Sequence, residues 1–198
     1  MTEHVDASFA GADLYGEEVA DSRYAGCSFV DADLTEMVTH RAVFEDCDFS
    51  GAKLNASTHD DTAFLRCVFR RTSFWGATLR QCKLTGSRFE ECALRPLTVD
   101  GGDWSYVSLR RADLSGLDLS GVRLAEADLT EADLTGVSLV DADLAHARVH
   151  NVRLARADLR GANLLGVALA DLRLDATVLD PDQAIALAVA RGAEVRPR

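Results

Sequence analysis

Residues 127–146 read ADLTEADLTGVSLVDADLAH, four consecutive blocks of five residues that share one pattern. The third residue of each block is leucine, the first is alanine or valine, and the second is aspartate or serine. These leucines belong to a lattice of every fifth residue that runs from Phe9 to Leu179. Of its 35 sites, 33 carry Phe, Leu, Val, Tyr or Trp, and the exceptions are Thr39 and His59. The chain is therefore predicted to be a tandem pentapeptide array with no insertions.

A second, smaller class of residue stands two places before each lattice site. Alanine is the most frequent member, and Ser, Thr, Val and Cys fill most other sites. A spacing of two is the strand period, so both residues of a pair can point to the same side. Asp or Asn commonly precedes the lattice residue, and Gly commonly lies two places after it. Each unit is predicted to form one short strand and one corner.

A unit of five residues buries nothing alone, so it must stack on copies of itself. A helix is excluded because a period of five drifts against 3.6 residues per turn, and the apolar stripe would wind round the helix. The pattern predicts an all-β solenoid over residues 1–179 with a core one side chain wide. Its 33 large lattice side chains are sufficient for a single domain.

The repeated Ala-Asp-Leu unit resembles the signature of the pentapeptide repeat proteins. Four longer runs are similar to a narrower branch, the Qnr-like topoisomerase-protecting proteins typified by the mycobacterial fluoroquinolone-resistance protein MfpA. These runs are FEDCDFSGAKL at 44–54, AFLRCVF at 63–69, LRPLT at 94–98 and DQAIALA at 182–188. The resemblance covers nearly the whole chain and implies a right-handed quadrilateral β-helix with four pentapeptides per coil. Lattice sites twenty residues apart would then stack in columns.

The irregular lattice sites and the cysteines are interpreted as core residues. Thr39 and His59 fall in one column, and a lone lattice histidine is more readily explained as a core substitution than as a ligand or base. All five cysteines belong to the small inward class, which is typical of core fillers. Their spacing lacks the C-x-x-C clusters of zinc sites, and a disulfide framework suits shorter secreted chains. We therefore expect no metal, no cofactor and a reduced, cytoplasmic compartment. No segment has the length or character of a signal peptide or a membrane span.

Two breaks in the pattern are predicted to interrupt the coil. Pro96 precedes Gly101 and Gly102, and proline removes a ladder donor, which indicates either an ordinary corner or a distortion near 95–102. The resemblance implies a cis-proline in a similar run. Asp180, Pro181 and Gln183 form a capping-box-like start for one short helix within residues 180–198. We expect this helix to cover the last coil, either as a monomeric cap or as a dimerisation module.

Similar proteins dimerise through this C-terminal module, so the resemblance favours a homodimer. The residues expected to mediate it are Ile185, Leu187, Ala188 and Val189.

The charge is strongly acidic and unevenly distributed. The net charge is −11, with 14 acidic and 3 basic residues in 1–61, 4 and 9 in 62–111, and 14 and 9 in 112–198. An acidic surface repels phosphates, so nucleic acid is not expected as a direct ligand, whereas a protein with a DNA-binding groove would attract it. Acidity alone often serves only solubility. A basic belt in the middle of the chain makes a full-length likeness to DNA doubtful; it comprises Arg66, Arg70, Arg71, Arg80, Arg88 and Arg95.

The resemblance implies a B-DNA mimic that binds DNA gyrase, a type II topoisomerase, and protects it from quinolone-like poisons. The carboxylates expected to contact the partner are Asp13, Asp33, Asp48, Asp113, Asp118, Asp128, Asp133 and Asp143. The alternative is a structural or adaptor solenoid that binds another protein. Catalysis is not expected, because paired acids such as Asp31 and Asp33 arise from the repeat itself, and His146 and His150 occupy outward positions.

Overall fold

The computed structural model describes residues 2–196 and confirms the predicted four-sided β-helix. Neighbouring strands pair in parallel with a register of twenty residues, as when Glu3 pairs with Arg23 and Val68 with Arg88. Each coil therefore contains four pentapeptides, one on each side of the rod. We name the sides after their lattice residues: the Phe9, Leu14, Val19 and Tyr24 sides, each continued by every twentieth residue in either direction.

Regular strands are concentrated in the first half of the chain. They are β1 Glu3–Val5, β2 Glu18–Ala20, β3 Arg23–Ala25, β4 Val38–His40, β5 Val43–Glu45, β6 Thr58–Asp60, β7 Ala63–Leu65, β8 Val68–Arg70, β9 Ala77–Arg80, β10 Arg88–Glu90 and β11 Leu97–Asp100. Strands β1, β3, β5 and β7 form a sheet on the Tyr24 side, β8 and β10 pair on the Phe9 side, and β2, β4, β6, β9 and β11 form a five-stranded sheet on the Val19 side. Elsewhere the sides continue as single parallel bridges.

The corners of the coil share one backbone conformation. Every fifth residue from Asp6 to Gly166, except Pro96, has a φ between 49° and 74°. Glycine adopts this left-handed region freely, whereas an L-residue with a side chain pays about 1–2 kcal/mol there. Many corners nevertheless carry Asp, Glu or Arg, because the stacked coils on both sides fix the backbone path.

The corner at Pro96 differs from the others. The Arg95–Pro96 peptide is cis, and the Gly76 N–H donates to the carbonyl of Pro96 at 2.7 Å, one residue further along than the usual partner. Gly102 has a φ of 106°, and a Cβ there would lie 2.3 Å from the Cys82 carbonyl oxygen. Leu97 still pairs with Ala77 in the regular register, but within residues 2–196 no bridge or backbone hydrogen bond joins residues 92–101 to residues 112–121. The parallel ladder is therefore interrupted on the Leu14 and Val19 sides at this corner.

Aromatic rings stack through the first five coils as the lattice predicts. On the Phe9 side, consecutive rings from Phe9 to Phe89 have centroids 4.7–5.0 Å apart and interplanar angles of 3–18°. A second column on the Tyr24 side has Tyr24, Phe44 and Phe64 at 4.9 and 5.0 Å. The two columns meet edge to face, an arrangement that aromatic quadrupoles favour.

The cysteines occupy the inward positions predicted for them, and all five are free. Each thiol donates to a carbonyl of the preceding coil, as Cys82 does to His59 at 3.2 Å and Cys67 to Phe44 at 3.4 Å. Burial raises the pKa of Cys82 to about 12. This thiol is therefore protonated and packs as a small apolar side chain.

His59 is the centre of a buried polar chain beneath the Val19 side. Nε2 of His59 hydrogen-bonds the Ser57 hydroxyl at 2.9 Å, and Nδ1 hydrogen-bonds the Thr39 hydroxyl at 2.7 Å. Thr39 also bonds the Thr62 hydroxyl at 2.7 Å, and the ends of the chain lie 2.7 Å from the Leu54 carbonyl and 3.1 Å from the Asp60 carbonyl. The neutral imidazole is thus fully bonded in the core. Burial lowers its pKa to about 4.

The C-terminal helix α1, Pro181–Ala190, closes one part of the last coil. Asp180 caps it, with the reciprocal bonds of a capping box to Gln183. The buried Gln183 amide donates to the carbonyls of Leu159 and Ala162 at 2.6 and 3.0 Å. At Ala162 it replaces the N–H that the next coil supplies elsewhere, as Asn163 does for the Ala142 carbonyl. A 3₁₀ turn at Leu169–Asp171 precedes the helix.

His59 should make folding stability sensitive to acid. Its folded pKa of about 4 lies below the unfolded value of about 6.5, so the unfolded chain binds the proton first. The stabilisation is complete above pH 6.5 and is lost as the pH falls towards 4, by about 3 kcal/mol. Urea unfolding across this range should show that loss in the wild type and not in His59→Leu, which places at 59 the residue that Leu79 supplies in the next coil. Parallel pH profiles for the two proteins would contradict this assignment.

Candidate protein-binding surface

The eight aspartates predicted as the partner site lie on all four sides of the rod. The Leu14 side carries Asp13, Asp33, Asp113 and Asp133, and the Phe9 side carries Asp48 and Asp128. Asp118 lies on the Val19 side and Asp143 on the Tyr24 side. Bridges bring Asp13 next to Asp33, and Asp113 next to Asp133. The other four lie beside neutral or basic residues of the adjacent coils. These carboxylates do not form one continuous patch.

Each of these aspartates also holds a turn. Its Oδ1 accepts the N–H of the residue two places later at 2.8–3.2 Å. The side-chain and backbone hydrogen bonds from Ser120 lower the pKa of Asp118, and those from Thr35 similarly lower the pKa of Asp33. Asn163 makes the same turn with its amide oxygen, at 3.1 Å to the N–H of Leu165. An acceptor at this position therefore stabilises the turn whether or not it is charged.

Five of the eight carboxylates also have a cationic neighbour. Asp33 lies 3.4 Å from Lys53, Asp113 2.5 Å from Arg95, Asp128 3.1 Å from Arg110 and Asp143 3.7 Å from Arg123, and Asp133 pairs with Arg153. These cations reduce the negative potential that the five aspartates present to a partner.

The Val19 side carries most of the excess negative charge. Its nine pentapeptides, from 17–21 to 177–181, contain ten acidic residues and three arginines, a net charge of −7 out of −11 for the chain. All three arginines are paired on this side: Arg41 with Asp21, Arg80 with Asp60 and Arg160 with Asp158. Seven carboxylates have no cation within 4.0 Å among residues 2–196: Glu17, Glu18, Asp61, Asp100, Asp118, Asp141 and Asp180.

The basic residues of the middle coils are spread round the rod. Arg70, Arg71 and Arg88 lie on the Phe9 side, opposite the Val19 side, where Glu90 and Glu91 separate them from further arginines. The remaining members of the predicted belt, Arg66, Arg80 and Arg95, lie on three different sides and are ion-paired. The belt therefore leaves the Val19 side predominantly negative.

Charges counted by position along the chain do not reveal this side. The signal was available, since summing charges over every fourth pentapeptide gives the same −7. The predicted contact residues are all aspartates directly before a lattice residue, whereas the corner residues Asp61 and Asp141 and the strand residue Glu18 also point outward.

Other candidate chemistry remains dispersed on the surface. His146 is a left-handed corner residue, and His150 is exposed on the Phe9 side. No group of three or more His, Cys, Asp and Glu within the described part of the chain is arranged to hold a metal ion. Within the same part, no helix is long and apolar enough to cross a membrane.

The family follows from matches along most of the array. A model described as a pentapeptide repeat region matches residues 17–94 and 40–119, and one described as pentapeptide repeats matches 108–144 and 138–171. The chain belongs to the pentapeptide repeat family. No curated protein matches this pentapeptide repeat chain.

Several solved structures share the fold. A trypsin-treated form of QnrB1, a plasmid-mediated fluoroquinolone resistance protein, superposes with a TM-score of 0.88 at 22% identity and covers 98% of each chain. Full-length QnrB1 gives a TM-score of 0.82 at 21% identity, covering 96% of this chain and 100% of QnrB1. HetL from the cyanobacterium Nostoc, a pentapeptide repeat protein involved in heterocyst differentiation regulation, gives 0.47 at 26% identity, covering 90% and 84%.

The turn-forming role of the aspartates can be separated from their charge at Asp118. Asp118→Ala should lower the free energy of unfolding by about 1 kcal/mol, as loss of a capping acceptor does. Asp118→Asn should keep most of the stability, because Asn163 fills the same role. Glu18→Ala is the matched control and should change stability by less than about 0.5 kcal/mol. Urea unfolding of the three variants tests this, and equal losses for Ala and Asn at 118 would contradict it.

Proposed function

We propose that this protein binds DNA gyrase in the cytoplasm through the Val19 side, imitates the charge of DNA, and inhibits the enzyme or protects it from quinolone-like poisons. The structural similarity to QnrB1 supports the fold on which this proposal rests. The resemblance of runs such as 44–54 and 182–188 to the topoisomerase-protecting branch supports gyrase as the partner. The observation that carries the choice of surface is the net charge of −7 on a single side.

The geometry of the Val19 side suits a cationic groove. Strands of a parallel ladder lie about 4.8 Å apart, so the eight spacings between the nine rungs from Glu18 to Val178 span about 38 Å. Seven unpaired carboxylates over that length give about one charge per 5.5 Å, against one per 1.7 Å for duplex DNA. The likeness to DNA is therefore partial. The five-stranded sheet and the bonded His59 chain support the carboxylates up to Asp100, and single parallel bridges such as Asp118 to Ser138 support those that follow.

A structural or adaptor role with another basic protein is the second candidate. An acidic side presented by a rigid rod would attract any protein with a cationic cleft. The two candidates differ in the partner and share the docking surface, so gyrase activity distinguishes them.

The proposal predicts that charge reversal acts on one side only. Glu18→Lys, Asp61→Lys and Asp141→Lys combined should raise the protein concentration needed to inhibit gyrase supercoiling, or to restore it in the presence of a quinolone, by about tenfold or more. Each of these side chains is exposed and makes no ion pair in the part of the chain that the structure describes.

The matched control reverses three exposed corner or corner-adjacent acids away from that side. Asp6→Lys, Asp31→Lys and Glu91→Lys produce the same change of +6 in net charge on the corners that border the Phe9 side. This variant should remain within about threefold of the wild type, because exposed charges beyond a Debye length are screened. Equal loss in both triple variants would refute the choice of side, and no effect of the wild type on gyrase would favour the adaptor role.

The proposal includes a homodimer formed through α1. Ile185 and Val189 lie one turn apart on the helix and are 47% and 54% exposed, while Leu187 and Ala188 are half-buried. Val178 and Val195 are exposed nearby in the sequence, at 43% and 46%. Several exposed apolar residues in one segment are typical of an interface.

Dimerisation should depend on the exposed apolar residues of α1. Ile185→Asp combined with Val189→Asp should convert the protein to a monomer in sedimentation velocity experiments, since burying two unpaired carboxylates is strongly unfavourable. Ala184→Asp is the control, because Ala184 is also exposed on the helix but is not one of the two large apolar side chains, Ile185 and Val189. A monomeric wild type at micromolar concentration would overturn the dimer.

A further inference from the structure

The β-helix ends unevenly on its Phe9 side. The last bridge there joins Asp128 to Arg148, and residues 168–171, which would form the next rung, enter the 3₁₀ turn at Leu169–Asp171 instead. The Val19 side ends differently, because Val178 pairs with Asp158 and α1 follows. The edge formed by residues 147–151 is therefore left without a neighbouring strand.

Three backbone groups on this edge lack the partners that their equivalents have one coil earlier. The Ala127 carbonyl accepts from the Arg148 N–H at 2.9 Å, and the N–H groups of Leu129 and Glu131 donate to the carbonyls of Arg148 and His150 at 2.9 and 2.8 Å. Twenty residues on, the Ala147 carbonyl and the N–H groups of Val149 and Asn151 make no hydrogen bond within residues 2–196. Unpaired edges of this kind are templates for another strand.

A groove runs beside the unpaired edge. It has a volume of about 350 Å³ and lies between residues 146–150 and residues 166–171. Its floor is closed by the core, where Val149 and Leu169 are partly buried. An added strand would therefore have little room for a large inward side chain opposite Val149, and its two flanking side chains would point outward beside Arg148 and His150.

This end of the rod carries a small net positive charge, although the chain as a whole is acidic. Residues 145–176 contain five arginines and three aspartates, a net charge of +2 in a chain of −11. Arg148 is exposed and has no carboxylate within 4.0 Å in the described chain, while Asp171 is the acidic residue of the groove lining. Two free N–H donors on the edge add to the positive potential.

We propose that the edge at Ala147–Asn151 binds an extended acidic segment of a partner protein as an additional parallel strand. The peptide residue opposite Arg148 donates its N–H to the Ala147 carbonyl and accepts from the Val149 N–H. The residue two places later accepts from the Asn151 N–H. Main-chain bonds supply affinity in this mode and alternate side chains supply specificity. The sequence that fits is acidic, small, acidic. This site is independent of gyrase binding by the Val19 side.

The test uses fluorescence anisotropy with the full chain and two labelled peptides. The probe Ser-Glu-Ala-Glu-Ser should bind, and Ser-Lys-Ala-Lys-Ser should bind at least about tenfold more weakly. Val149→Pro removes one edge donor that makes no bond in the folded chain, so the protein should stay folded by circular dichroism and lose about tenfold in affinity for the acidic probe. Leu129→Pro is the matched control, since it removes a donor that is bonded to Arg148 and should lower the unfolding temperature.

A second variant tests the same site without placing a proline in the backbone. Arg148→Glu should weaken the acidic probe and strengthen the lysine probe, with no change in unfolding temperature. Binding of the acidic probe that is unaffected by both Val149→Pro and Arg148→Glu would overturn the proposal, as would no binding of either probe by the wild type. Self-association that Val149→Pro abolishes would show that a second copy, rather than an acidic partner segment, covers the edge.

Discussion

The whole structure depends on each inward side chain lying over the one twenty residues away. The core is only one side chain wide, so contacts such as the stack from Phe9 to Phe89 must recur at every coil for the chain to remain folded. The left-handed corner is the backbone condition for this register, because it turns the chain by a right angle every fifth residue. Charged corners are retained at a cost of about 1–2 kcal/mol each, which the stacked coils offset.

Most of the fold could be predicted from the sequence, because the inward positions obey a strict period. Phe49 and Leu129 are fixed by packing alone, and the capping box at Asp180 is a local signal. The hydrogen-bonded role of Thr39 and His59 was less accessible. Their column was predicted, but the hydrogen-bonded chain through Ser57 and Thr62 joins residues from two coils and two adjoining sides, and the five-residue period does not reveal which hydroxyls lie beside the imidazole.

The candidate surface was harder to predict because outward residues serve two purposes. Asp118 and Asp128 both hold turns, yet Asp128 pairs with Arg110 and Asp118 has no such cation among residues 2–196. Their similar positions before a lattice leucine hide this difference, which arises from neighbours eighteen to twenty residues away. Two parts of the C-terminal end differ for a similar reason: Gln183 satisfies carbonyls at one corner, while no side chain of residues 2–196 does the same for the edge at Val149.

The twenty-residue register also limits how such a chain can change in length. Loss of one pentapeptide before Asp118 would leave every lattice side chain inward, yet it would rotate all later residues by a quarter turn about the rod. Asp118 and Asp141 would then move to the Leu14 side, and the excess negative charge of the Val19 side would be divided between two sides of the rod. Only gains or losses of four pentapeptides keep the acidic residues before and after the change on the Val19 side. Selection for an uninterrupted charged side would therefore fix the spacing of the array even where the fold itself would tolerate a shorter chain.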